Sequence, residues 1–136
     1  MKKLTLEYAH QLIAQSIKKA NSDYGRPITI SICDDHGELI AFSRMEGAPP
    51  RSINISQRKA YTAARAGCST NDILERIQRE NLDLSYYCDA LFTGFPGGNL
   101  LKDKDNHVIG SIGISGLVAF EDHAITVFIA ELVCAN

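Results

Sequence analysis

Apolar positions recur along this chain at three spacings, and each spacing predicts an element. Leu6, Ala9, Ile13, Ile17 and Ala20 return every three or four residues, the signature of one helical face. Thr5 is placed to cap that helix, and Asn21, Ser22, Asp23 and Gly25 to end it. From Ile28 to Cys33 the letters ITISIC alternate strictly, DDHG supplies turn residues, and ELIAFS resumes an apolar run through Ser43, which predicts a β-hairpin. RMEGAPP, from Arg44 to Pro50, is expected to be irregular, because proline lacks the N–H that a ladder or helix interior needs. Ser52 is expected to cap a helix running to about Ala66, with Gly67 at its end, and Ser69 to cap a shorter one with Ile73, Leu74 and Ile77 inward. Leu82 to Cys88 reads equally as helix tail or loop, and Leu91 and Phe92 are expected to begin a third strand.

The stretch from Phe95 to Gly116, FPGGNLLKDKDNHVIGSIGISG, reads as a second hairpin with an uneven last strand. Val108, Gly110, Ile112 and Ile114 share one parity, and Ile109, Ser111, Gly113 and Ser115 the other. Small residues weaken a strand unless something must approach it, so a helix, a neighbouring subunit or a ligand is expected over Ser111, Gly113 and Ser115. The final helix is expected to start near Glu121 or Asp122. Its body, AITVFIAELVCA, is apolar nearly all round, which predicts one face on the sheet and another against a partner subunit in a homo-oligomer.

The resulting order, α-β-β-α-α-β-β-β-α, predicts an α+β domain with helices packed on an antiparallel, five-stranded sheet. At 136 residues with 45% hydrophobic content, the chain has material for a single domain spanning 1–136. Lys and Arg total 14 against 16 for Asp and Glu, with no long run of like charge, so nucleic acid is not an expected partner. No apolar run approaches a membrane span and MKKLTLEYAHQ turns polar too early for a signal peptide, which predicts a cytoplasmic protein without a membrane partner.

Candidate chemistry is sparse. Cys33, Cys68, Cys88 and Cys134 form no CxxC pair and are read as free thiols. Asp34, Asp35 and His36 are read as turn formers rather than metal ligands, since neighbours in a turn rarely converge on one ion. Lys59 lies next to an alanine-rich stripe and can reach either water or a cleft. Gly97 and Gly98 can present backbone N–H groups to an anion, or simply reverse the chain. No nucleophile and base pair is evident, so no catalytic residue is assigned.

Several segments together resemble a known family: LTLEYAHQLI at 4–13, ITISICDDHGELIAFSRMEGAPPRSI at 28–53, RKAYTAA at 58–64, FPGG at 95–98, and VIGSIGISG at 108–116 followed by EDHAI. They are similar to the GlcG/HbpS-like proteins, which also supply the C-terminal domain of PduO-type corrinoid adenosyltransferases. The resemblance implies a profilin-like fold, assembly into octamers, and haem as cofactor, with some members reported to bind iron or promote haem breakdown. It places Asp34, Arg44, Ser52, Lys59, Ser115 and Asp122 at the matching polar positions, with Gly97, Gly98, Gly113 and Gly116 shaping the backbone. On that reading Arg44 or Lys59 would pair a propionate, Gly97 and Gly98 would donate N–H groups, and Ser115 would hydrogen-bond the ligand. Haem iron needs an axial donor, and the matching segments offer His10, Cys33, Met45 and Tyr61, of which His10 and Cys33 are the candidates retained. The function implied is a haem-binding or tetrapyrrole-binding accessory protein of a cofactor-dependent pathway, such as diol or glycolate metabolism. The alternatives are an enzyme acting on haem or a small carboxylic acid, through Lys59, Asp122 or Ser115, and a profilin-like interaction module.

Overall fold

Isoleucines in the two central strands decide which side of the sheet is apolar. The computed structural model describes residues 2–136. In it β1 (Thr29–Cys33) lies between β2 (Leu39–Arg44) and β4 (Val108–Ser115), and β3 (Gly98–Lys102) forms the other edge. The order is β2-β1-β4-β3, and every neighbouring pair is antiparallel. Ile30 pairs with Ile114 and Ile32 with Ile112, and paired residues of antiparallel strands project to the same face. That face takes α1 (Leu6–Asp23) and α4 (Ala119–Ala135), whose Leu12, Ile13, Ile125, Ile129 and Val133 join the isoleucines in one core cluster. Each such burial stabilises the fold by about 1.5–3 kcal/mol relative to exposure.

The other face carries Thr29, Ser31, Ser111, Gly113 and Ser115, and α2 (Ser52–Ala66) lies on it. Here docking is polar and close. Thr29 Oγ1 and Ser52 Oγ are 2.6 Å apart, Ser31 Oγ and Ser56 Oγ 2.8 Å, and Ser111 Oγ donates to the Ala60 carbonyl at 2.7 Å. A Cβ on Gly113 would collide with the Ser56 carbonyl oxygen. The space expected over Ser111 and Gly113 is therefore filled by the chain's own helix. Beyond α2, Gly67 turns left-handed at φ 75°, and Ser69 Oγ accepts the Asp72 N–H at 3.1 Å to start α3 (Thr70–Arg79).

Three expectations need correction. The sheet has four strands, not five. Leu91 and Phe92 join no ladder, because Asp89 closes a local turn on both of their N–H groups and the Phe92 ring packs on Tyr61 and Tyr87. Ser52 is not a cap: Arg51 holds that position, and the Ser52 hydroxyl is turned inward to the Pro49 carbonyl and Thr29. The last helix begins at Ala119, ahead of the acids, and Glu121 reaches back to the Val118 N–H at 3.3 Å. The α+β class holds. Among the described residues, no helix is long and apolar enough to cross a membrane.

Candidate functional site

Among the described residues, Lys59 is the one lysine or arginine that is buried, at 2% exposure. It stands on the sheet side of α2 and passes beneath the turn before β3, where Gly97 makes room for it: a Cβ at Gly97 would lie 2.7 Å from Lys59 Nζ. The ammonium donates to the Ile114 carbonyl at 2.8 Å and to Asp122 Oδ2 at 3.2 Å. Asp122 sits in the first turn of α4, where a carboxylate suits the positive end of the helix dipole, and its other oxygen accepts the Leu117 N–H at 3.1 Å. Burial pushes the Lys59 ammonium down and the Asp122 carboxyl up, and in each the partner's charge and hydrogen bond work in the opposite direction.

Above this pair opens a pocket of about 150 Å³ at the C-terminal end of β4. Arg51, Ser52, Lys59, Phe95, Ser115 and Asp122 all line it, so four of the expected site residues, Ser52, Lys59, Ser115 and Asp122, do meet. Their availability differs. Both recorded bonds of the Ser52 hydroxyl are internal, whereas Ser115, 6% exposed, has no side-chain hydrogen-bond partner among the described residues. The Phe95 ring lies over the ammonium at 5.7 Å and is itself 56% exposed.

The other expected positions lie elsewhere. Gly97 supports the site by having no side chain, and its carbonyl accepts the Ile114 N–H at 2.8 Å. Gly98 offers no anion nest, since its N–H is held by Thr70 Oγ1 at 2.9 Å, and a Cβ there would collide with the Lys59 carbonyl. Arg44 ends edge strand β2, exposed and outside the pocket lining. His10 is exposed on α1, and Cys33 is buried in β1 at 2% exposure. None of the residues lining the pocket is His, Cys, Met or Tyr, so the pocket by itself supplies no axial donor to a haem iron.

Arg51 and Phe95 were not anticipated. Each neighbours an anticipated residue or turn, but a pattern of polar and apolar letters does not say which loop residue folds over a pocket. Asp34 is a turn former as expected, its Oδ1 accepting the N–H groups of His36 and Glu38. Asp103, Asp105 and His107 bring ligand atoms within 4.8 Å of one another, yet the Asp103 oxygens already accept three backbone N–H groups and serve to shape the β3–β4 turn.

Comparison with known proteins places this geometry in a family. The chain is 32% identical to Protein GlcG of Escherichia coli K12 over 112 residues, covering 82% of this chain and 81% of that one. It is 29% identical to the corrinoid adenosyltransferase PduO of Salmonella typhimurium over 115 residues, covering 83% of this chain and 34% of PduO. Among solved structures, PduOC in complex with haem superposes with a TM-score of 0.83 at 26% identity, covering 96% of this chain and 94% of that one. The profile of the family described as "Haem degrading protein HbpS-like" matches residues 4–131, nearly the whole of the sheet and its helices, and the chain belongs to that family.

Proposed function

We propose that this protein binds haem, or a closely related tetrapyrrole, on a surface shared between copies of itself, as an accessory binding protein of a cofactor-dependent pathway. The observation that carries the reading is the likeness, along 96% of the chain, to a domain crystallised with haem. Relatedness to a corrinoid adenosyltransferase supports the pathway context.

Of the four donors offered by the matching segments, one is placed to hold the iron of such a group. Burial pushes the Cys33 thiol up to about 12, which keeps it protonated and a poor iron ligand. Met45 Sδ already accepts the Ile28 N–H at 3.3 Å, and the Tyr61 hydroxyl donates to Asp89 at 2.6 Å. His10 alone of the four is exposed and without a recorded hydrogen bond, one turn after Leu6, itself 56% exposed. A flat macrocycle laid over Leu6 and His10 would keep its outer side in water unless a second copy covered it, so this reading calls for a homo-oligomer, for which the resemblance implies an octamer. His10 would hold the iron there, and the bound group would supply a redox-active metal centre.

Arg44 and Lys59, the expected propionate partners, do not share that surface within one chain. α1 enters beside Gly110, against which Leu4 packs, whereas the Lys59 pocket opens beyond Ser115 at the far end of β4. Titration with hemin tests the reading: a Soret band that saturates at a fixed ratio to protein is expected, and is lost in His10→Ala but kept in Cys33→Ala. No band in the unaltered protein would end it. The enzymatic alternative has one observation in its favour, the shared pocket of Lys59, Asp122 and Ser115, and requires ligand-dependent product formation that Lys59→Ala abolishes.

A further inference from the structure

The pocket over Lys59 is surrounded by more hydrogen-bond donors than acceptors. An ammonium has three N–H bonds, and those of Lys59 have two recorded acceptors, leaving one donor in a side chain 98% buried. Ser115, 6% exposed as a residue, lines the pocket with a hydroxyl that has no side-chain hydrogen-bond partner among the described residues. Asp122 accepts from Lys59 through one oxygen and from the Leu117 N–H through the other, and neither the Ser115 hydroxyl nor an α4 N–H reaches it. α4, a helix of 17 residues, starts on the pocket wall at Ala119 with no side-chain cap, and the Ala119 and Phe120 N–H groups have no recorded acceptor. Arg51, at the mouth, pairs with no carboxylate among the described residues.

The charges then decide the sign of an occupant. Lys59 and Asp122 cancel, while Arg51 and the start of α4 leave the pocket positive, so it suits an anion of single charge. Size decides its class. A cavity of about 150 Å³ is below the roughly 300–1,000 Å³ of pockets that take drug-sized ligands, so it suits a ligand of a few heavy atoms. Ile55, Phe95 and Leu117 line the same space and favour a carbon skeleton over a bare oxyanion. We infer that this pocket binds a small monocarboxylate of two or three carbons bearing an oxygen on C2, a 2-hydroxy or 2-oxo acid. Its carboxylate meets Arg51 and the first turn of α4, and its C2 oxygen meets Ser115 and the free donor of Lys59.

This inference does not depend on haem and involves other residues. Isothermal titration of the full chain with lactate, pyruvate, lactamide and inorganic phosphate tests it. Lactate or pyruvate is expected to bind, with lactamide at least tenfold weaker for want of the charge. Ser115→Ala breaks no recorded bond within the protein and is expected to weaken binding about fivefold to tenfold, and Arg51→Gln, on the exposed rim, at least fivefold. His10→Ala should leave the carboxylate titration unchanged, and Ser115→Ala the hemin titration unchanged, which separates failure of this site from failure of the haem reading. Absence of heat with both acids overturns the inference. So does equal binding of lactate and lactamide, phosphate binding tighter than either acid, or unaltered affinity in both variants.

Discussion

Lys59 Nζ lies 3.2 Å from Asp122 Oδ2, an ion pair closed between α2 and α4 by residues 63 positions apart, with both side chains almost wholly out of water. α2 and α4 pack on opposite faces of the sheet, so this pair joins the two layers past the end of β4. It is also the floor of the pocket.

Removing one partner strands the other charge in a buried site. Lys59→Met and Asp122→Asn are therefore each expected to lower stability by roughly 3–5 kcal/mol, since the second turns an amide NH2 against either the ammonium or the Leu117 N–H. The double variant Lys59→Met/Asp122→Leu should be more stable than Lys59→Met alone. Urea unfolding monitored by circular dichroism measures all three, and strictly additive losses would contradict the pairing.

Gly113 and Gly94 separate close approach from mere flexibility. A methyl group on Gly113 would overlap the Ser56 carbonyl, whereas one on Gly94 would meet Ile77 Cδ1 at an ordinary 3.5 Å. Gly113→Ala is expected to cost at least about 1–3 kcal/mol by forcing α2 off the sheet, and Gly94→Ala to change stability by under ~0.5 kcal/mol. Thermal melts of the two variants give the comparison directly.

Thiol reactivity should sort the cysteines by burial. Cys88 and Cys134 are exposed, while Cys33 is buried with its thiol pushed up to about 12 by burial and by nearby Asp34. Ellman's reagent at pH 8 is expected to react quickly with the exposed pair and with Cys33 only after denaturant is added. Cys68 is half-buried, so only rapid loss of all four thiols in the native protein would show that β1 is not covered as described.

The acid limb of stability should carry the imprint of Asp103. Burial acts to raise its carboxyl, but backbone N–H groups of His107, Lys2 and Asp105 outweigh it and hold the group below the usual carboxylate range. The unfolded chain then binds the extra proton first, so this carboxylate's contribution is complete above about pH 4 and disappears as pH falls through the lower folded value. Asp103→Asn is expected to destabilise the protein at pH 7 and to flatten the decline below pH 4. Parallel acid limbs in the two proteins would remove Asp103 from the account.

What could be read in the letters was whatever repeats or punctuates. The period of α1, the alternation of ITISIC, the Ser69 cap and the left-handed Gly67 are local consequences of residue type, and each stands in the structure. The Leu91–Phe92 strand failed because a strand needs a partner, and here an Asp89 turn and two tyrosine rings occupy the segment instead. The site divides the same way: Lys59, Ser115 and Asp122 stood out as polar groups, but Arg51 and Phe95 carried no signal of their own, and Gly98 read as a donor when Thr70 already holds its N–H.

The sequence by itself determined the four helices and four strands that stand, though not the absence of a fifth strand, together with the apolar and small faces of β4 and the need for close approach at Gly113, because propensity, side-chain parity and the missing Cβ act within a few residues. Only the tertiary structure decided that α2 fills that approach, that Lys59 turns inward to Asp122 rather than out to water, and that Ser115 is left with a hydroxyl facing a pocket. Those outcomes depend on distances between segments tens of residues apart, which packing sets and no local pattern encodes.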